Sequence, residues 1–207
     1  MPNLNNRAQV ALLVIDMQRD FCSEGGYAQT AGLDISPLRA IVPAVKAVLT
    51  AARKAGIAII FTREGHLPDL SDCTGAKLQR SKQGGAEIGS AGPLGRLLIR
   101  GEYGQDIISE LTPQANEFAI DKPGYSAFPH TELQEILSRR NISQLIFTGV
   151  TTEVCVHSTL RDAVDRGELS RHSPLPPASP RARRIAHGSA VGDRLRGVQA
   201  LRADLRA

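Results

Sequence analysis

The stretch QLIFTGVTTEVCVHSTLRDAVD, residues 144–165, decides the fold. Its first six residues are a short apolar run of strand length. Gly149 closes that run, and Thr152 to Asp165 then reads as a helix. A strand that turns into a helix is half of a βαβ unit. The same grammar recurs upstream. ALLVID (11–16) is a nearly continuous apolar run ending in an acid, as expected of a strand buried on both faces. Pro37 to Gly56 reads as one helix, with Ser36 as its cap, Ile41, Val45, Val48 and Leu49 as its apolar stripe, and Gly56 as its stop. IAIIFT (57–62) and EFAIDK (117–122) are two further strands. Glu132 to Arg139 is a helix capped by Thr131, with Leu133, Ile136 and Leu137 inward. Strands alternating with helices predict an α/β protein with a parallel sheet covered on both sides.

Ligands in such folds bind beyond the carboxyl ends of the strands. Asp16, Lys122 and the loop after Gly149 all stand at such ends, so the topology predicts that they converge on one cleft. In that loop Cys155 falls in the first turn of a helix capped by Thr151 or Thr152. Free amides and the helix dipole favour a thiolate there, and the same amides suit an oxyanion. Each residue alone also has an ordinary reading: a packed cysteine, a turn-capping acid, a solvated lysine. Together, a thiol, a carboxylate and an ammonium suit acyl transfer. Residues 63–105 are rich in glycine and polar residues without a sustained period, and they predict a long surface excursion near the site.

Composition bounds the rest. Of 207 residues, 42% are hydrophobic and 22% charged, which is ordinary for a globular chain. Three cysteines are too few for a disulfide scaffold. No apolar run approaches the ~20 residues that span a bilayer, and the start MPNLNNRAQV has no signal-peptide core. A cytoplasmic location is the expectation. The net charge of +4 is unevenly spread: residues 167–207 hold eight arginines, no lysine and three acids, and the preceding 166 residues hold 17 bases against 18 acids. The basicity thus gives no reason to expect a nucleic-acid partner, since no aromatic residues interleave those arginines.

VIDMQRDF (14–21), DKPGYSAF (121–128) and GVTTEVCVHSTLRDAVDRG (149–167) resemble the isochorismatase-like cysteine hydrolases. The resemblance implies a three-layer α/β/α fold with a central parallel sheet. It also implies a triad of Asp16, Lys122 and Cys155, a cis peptide between Val150 and Thr151, and an oxyanion hole from the amides of Thr151 and Cys155. FCSEGGY (21–27), TREGHLPDL (62–70) and RGEYGQDIISEL (100–111) most resemble the biuret amidohydrolases and related enzymes of ureido and carbamoyl C–N bonds. This maps a pocket-lining role, or else core packing, onto Phe21. A small-molecule substrate and a homo-oligomer, dimer or tetramer, are implied as well. Nicotinamidase-like relatives carry a metal held by an acid and several histidines. Here only His66 is available, beside Glu64 and Asp69, so neither a metal nor another cofactor is expected. Cys22 and Cys73 are read as ordinary thiols, His157 as a surface residue, and Glu153 as a residue that favours the helix N-terminus. Two alternatives stand beside the ureido reading: a catalytically impaired remnant, and a relative acting on another small amide or a vinyl ether. Isochorismatases themselves generally lack the cysteine.

The family pattern stops after Gly167. The resemblance implies another buried strand, helix and strand, yet residues 167–207 contain no apolar run of strand length and are rich in Arg, Ala and Pro. The chain is therefore divided into a hydrolase domain, 1–166, and an atypical tail, 167–207, with C-terminal strands missing or altered. A reading-frame shift near codon 168 is the favoured explanation. The alternatives are a divergent folded end, with Leu195, Val198, Leu201 and Leu205 on a helix over 192–206, and a basic binding tail. Translating the neighbouring frames of the gene is expected to restore a buried strand and helix after codon 168. If no frame does so, the shift is ruled out.

Overall fold

The structure is a computed structural model that describes residues 7–172 and, among side chains, those of 7–168. Its centre is a parallel sheet of β1 (Val10–Ile15), β2 (Ala58–Glu64), β5 (Phe118–Lys122), β6 (Gln144–Gly149) and β7 (Leu169–His172), in the order β5-β2-β1-β6-β7. Every residue of β1 is buried, because it is the middle strand and both faces are covered. Its side chains alternate between two cores. Leu12 and Val14 pack with Val42, Val45 and Leu49. Ala11, Leu13 and Ile15 pack with Leu133, Leu137 and Ala163. The first set lies on α4 (Val42–Ala55). The second lies on α6 (Leu133–Arg139) and α7 (His157–Asp165). These are the three layers expected from the sequence.

The single helix expected over 37–56 is two: α3 (Ser36–Ala40) and α4, which meet at Ile41. Pro43 explains the break, since its nitrogen donates no hydrogen bond and its ring crowds the carbonyl four residues back. Asp34, not Ser36, does the capping, accepting a bond from the Ser36 amide at 2.9 Å. Gly56 stops α4 as expected, at φ 67°.

The excursion over 63–105 is more ordered than its composition suggests. It holds α5 (Gly75–Gln83), capped by the Thr74 side chain, and the two-residue strands β3 (Ala91–Gly92) and β4 (Gly95–Arg96). Leu97, Leu98 and Ile99 are buried. The His66 amide donates to Leu98 O at 2.8 Å, and the Arg100 amide to His66 O at 2.9 Å. Single-turn helices α1 (Arg19–Cys22) and α2 (Tyr27–Thr30) sit against it, tied by the buried Asp20 carboxylate, which accepts from the Tyr27 and Leu98 amides.

The C-terminal strands were expected to be missing or altered, and one short strand without an apolar run follows Gly167. Residues 169–172 form β7, which pairs in parallel with residues 144–147 of β6. Backbone pairing along an open edge needs no apolar side chains, so the absence of an apolar run was a poor guide. The remainder of the tail, with the helix considered over 192–206, lies outside the described residues.

The turn from β6 into the helix depends on Gly149. It has φ 119°, and a Cβ there would lie 2.0 Å from Ile15 O on the adjoining strand. Gly149→Ala should cost more than about 4 kcal/mol or abolish folding, the range of a backbone clash that cannot relax. A urea melt within about 1 kcal/mol of the parent would show the strands able to move apart.

Candidate active site

Three neighbouring strands deliver charged groups to one end of the sheet. Asp16 follows β1 directly, Glu64 is the last residue of β2, and Lys122 is the last residue of β5. Glu64 and Lys122 are register partners. Asp16 takes φ 51°, a left-handed conformation that aspartate tolerates better than most residues. Its amide donates to Thr62 O at 3.1 Å, and its Oδ1 accepts the Thr62 hydroxyl at 2.6 Å. Beyond β6, the Val150–Thr151 peptide is cis. Residues Thr152–Val156 then form a wide turn, in which the Val156 amide reaches Thr151 O at 3.3 Å, before α7 begins. Thr151 occupies the cap position, though its side chain makes no capping bond. Cys155 lies in this turn and points into the site.

The side chains meet closely. Lys122 Nζ lies 2.8 Å from Asp16 Oδ2 and 3.5 Å from Glu64 Oε2, and donates to Gly124 O at 2.9 Å. Three acceptors thus surround the three protons of one ammonium. The Cys155 thiol donates to Glu64 Oε2 at 3.2 Å, and Cys155 Sγ lies within 4.8 Å of one oxygen of each carboxylate. Glu64 Oε1 is held by Lys77 Nζ, which arrives from α5 at 2.6 Å and donates also to Pro123 O at 2.6 Å. The lysine lies 5.3 Å from the centre of the Tyr125 ring. All these groups except Lys77 are nearly inaccessible, with Cys155 at 5% and Asp16 and Lys122 at 0%. A cavity of about 490 Å³ opens beside Pro123, lined also by Cys73, Thr74 and Arg100.

Burial and charge divide the two carboxylates. Burial raises the Asp16 pKa, against the pull of Lys122 and with the added push of Glu64. Burial acts on Glu64 in the same direction, but Lys122 and Lys77 outweigh it and hold the group at about 2. Lys122 is kept protonated: burial works against its charge, but Asp16, Cys155 and Glu64 together outweigh it. Burial also lifts the Cys155 thiol well above its ordinary value, Lys122 notwithstanding. The helix-start reading favoured a thiolate here. Burial works in the other direction, toward the neutral thiol.

Other residues singled out from the sequence fall as follows. Phe21 is half-buried and packs edge-on against Tyr27 at 6.1 Å between ring centres. It also packs against the cluster that includes Leu12 and Val14. His66 is buried, but its Nδ1 faces Asp72 Oδ1 at 3.2 Å, and the expected neighbour Asp69 is exposed and bonded to Ser71. Among the described residues, Asp16, Glu64 and Cys155 are the group spaced to hold a cation. The Lys122 ammonium already sits on both of their carboxylates, so a metal ion would have to displace it. Cys22 is a buried thiol pushed up to about 12, and the exposed His157 accepts from Arg161 Nε at 2.9 Å. Glu64 and Lys77 are the residues that sequence reasoning missed as parts of the site. Glu64, like Asp16, stands at the end of a strand, but Arg63 separates it from the apolar run. Gln18 also went unnoticed: its buried amide group clamps the Glu64 backbone, accepting from Glu64 N at 2.7 Å and donating to Glu64 O at 2.8 Å.

A family model described as the isochorismatase domain matches residues 10–168. The ureidoacrylate amidohydrolase RutB of Yersinia enterocolitica is 42% identical over 155 residues, covering 73% of this chain and 67% of that protein. The enzyme of the same description from Serratia proteamaculans is 39% identical over 165 residues, covering 74% and 63%. The chain thus spans about two thirds of the length of these relatives. Among solved structures, a cysteine hydrolase from Pseudomonas syringae superposes with a TM-score of 0.71 at 28% identity, over 84% of this chain and 74% of that one.

A raised thiol pKa has a direct readout. Iodoacetamide should modify the half-exposed Cys73 before Cys155, and the Cys155 rate should keep rising beyond the pH of about 8.5 at which a free thiol is half ionised. Peptide mass spectrometry across pH 6–11 checks this. A Cys155 midpoint below about pH 8 would instead reveal a preformed thiolate.

Proposed function

Since the chain belongs to the isochorismatase family, we propose that it is a cysteine amidohydrolase that cleaves the C–N bond of a small ureido, biuret-like or other carbamoyl compound without a metal. The observation that carries this reading is the buried cluster of Cys155, Asp16 and Lys122 at three strand ends. Relatives described as ureidoacrylate amidohydrolases support the substrate class.

Asp16 is the proton carrier. Its raised pKa suits a group that takes the thiol proton as sulfur attacks the carbonyl carbon, then returns it to the departing nitrogen. The amides of Thr151 and Cys155 receive the oxyanion. Lys122 holds Asp16 in place and offsets the negative charge that develops beside it. A ureide R–NH–CO–NH2 and the thiol yield an amine and a thiocarbamate on Cys155. Water, deprotonated by Asp16, then releases carbamic acid and restores the thiol. Phe21 is assigned a supporting role in the pocket wall. The partners in this reading are the substrate and further copies of the chain as a dimer or tetramer, and the working compartment is the cytoplasm. The tail from 167 is kept as a separate segment. The family match ends at residue 168, where the composition also changes.

Biuret, ureidoacrylate, N-carbamoylsarcosine and nicotinamide form the discriminating panel. Turnover is expected on one of the first three, and Cys155→Ala should lower it by at least about 10⁴-fold. Mass spectrometry of a quenched wild-type reaction should show a carbamoyl adduct on Cys155. Activity retained in Cys155→Ala would remove the mechanism, and turnover of nicotinamide alone would remove the substrate class.

A further inference from the structure

Glu64 has no part in the proton transfers just described, yet it is the best-held anion in the site. Lys77 fixes one of its oxygens and Gln18 fixes its backbone. The other oxygen accepts the Cys155 thiol. A permanently ionised carboxylate beside a nucleophilic sulfur opposes formation of a thiolate, so its presence needs another reason. When sulfur bonds to a carbonyl carbon, the S–H proton has gone and Oε2 keeps only the Lys122 ammonium, 3.5 Å away. A buried carboxylate oxygen that gives up its closest hydrogen bond is left undersatisfied, which is costly. The groups placed to replace that donor are those on the attacked carbon, which stand two bonds from sulfur. In a ureide, both are nitrogens. One departs with the proton from Asp16. The other, the –NH2, stays through attack, collapse and the acyl-enzyme, carrying hydrogens throughout.

Resting on the ureido reading and deepening it, we propose that Glu64 Oε2 accepts the non-leaving –NH2 of a carbamoyl substrate and so selects a ureide over an ordinary amide. Lys77 is the positioning residue that keeps the carboxylate aimed at Cys155. Glu64 donates no proton in any step, because its two ammonium neighbours keep it ionised. An acetyl group in place of the carbamoyl group has nearly the same shape but offers a methyl where the –NH2 would be. Binding it leaves the hydrogen bond vacated by the thiol unreplaced, and sites built around a hydrogen-bonded group discriminate strongly against analogues that lack it.

The test compares matched pairs: N-carbamoylsarcosine with N-acetylsarcosine, and biuret with acetylurea read as acetate release. The ratio of kcat/KM for carbamoyl over acetyl is measured for the wild type and for Glu64→Gln, which keeps length but loses charge. The ratio is expected to fall by about 10–100-fold in the variant, as for loss of a hydrogen bond to a charged group. A ratio unchanged within about threefold, with both substrates slowed alike, would show that Glu64 only positions Cys155 and would overturn the proposal. If Glu64→Gln does not fold, Glu64→Gln with Lys77→Gln removes the stranded ammonium and is judged by the same ratio. A wild type that turns over acetyl compounds but no ureide would instead overturn the reading on which the proposal rests, an outcome visible before any variant is made.

Discussion

The Lys122 ammonium, buried against the Asp16 carboxylate at 2.8 Å, is the contact around which the rest of the site is arranged. Neither group would survive burial alone, since an unpaired charge in such a place costs about 3–5 kcal/mol. The sheet makes the pairing possible. β1 and β5 flank β2, so the ends of all three come within side-chain reach, and β2 contributes the second acid between them. The ammonium then has an acceptor for each of its protons, two carboxylates and a backbone carbonyl. Replacing the lysine by an apolar residue would leave two like charges facing each other.

The division of labour between the acids follows from who holds them. Glu64 touches two ammonium groups and Asp16 touches one, whose charge it shares with Glu64. Their pKa values are therefore pushed apart, down for Glu64 and up for Asp16. Two carboxylates made unequal by their surroundings are the general signature of a site that separates a proton carrier from a fixed charge. The asymmetry originates outside the sheet, in α5, because Lys77 comes from the excursion. A segment that reads as loop in the sequence thus sets the chemistry of a residue on a core strand.

The parts of the fold legible in the sequence were those governed by burial on both faces. β1 is a continuous apolar run and β6 has an apolar centre, Leu145–Phe147, and their bounds are recovered to within a residue. Asp16 and Lys122 were singled out because each stands where a strand stops, and Cys155 because it lies in the turn that follows one. Glu64 escaped because Arg63 interrupts the apolar run of β2, which reads as ending at Thr62. In the structure Arg63 simply faces outward, paired with Asp121 on the neighbouring strand at 2.8 Å, and the strand runs on through it to Glu64. Leu97–Ile99 went unread for a related reason. Three apolar residues carry no period, and their burial depends on the backbone bonds they exchange with His66. β7 lacked an apolar signal because its place is fixed by the open edge of β6.

Charge neutrality explains how a neutral thiol would serve as the nucleophile in the proposed mechanism. With the thiol protonated, the two carboxylates and the ammonium groups of Lys77 and Lys122 sum to zero. Ionising Cys155 into solvent would leave one uncompensated negative charge in a site that water barely reaches, and that cost is what lifts the thiol. Passing the same proton to Asp16 keeps the sum at zero. The transfer within the cluster is therefore far easier than the titration, and it is completed only when the sulfur has an electrophile to bond. A closed, balanced site of this kind keeps its thiol unreactive toward adventitious electrophiles and activates it with the substrate in place. In the proposed reading a neutral carbamoyl group enters without disturbing the balance, and its –NH2 replaces the one hydrogen bond that the attack removes.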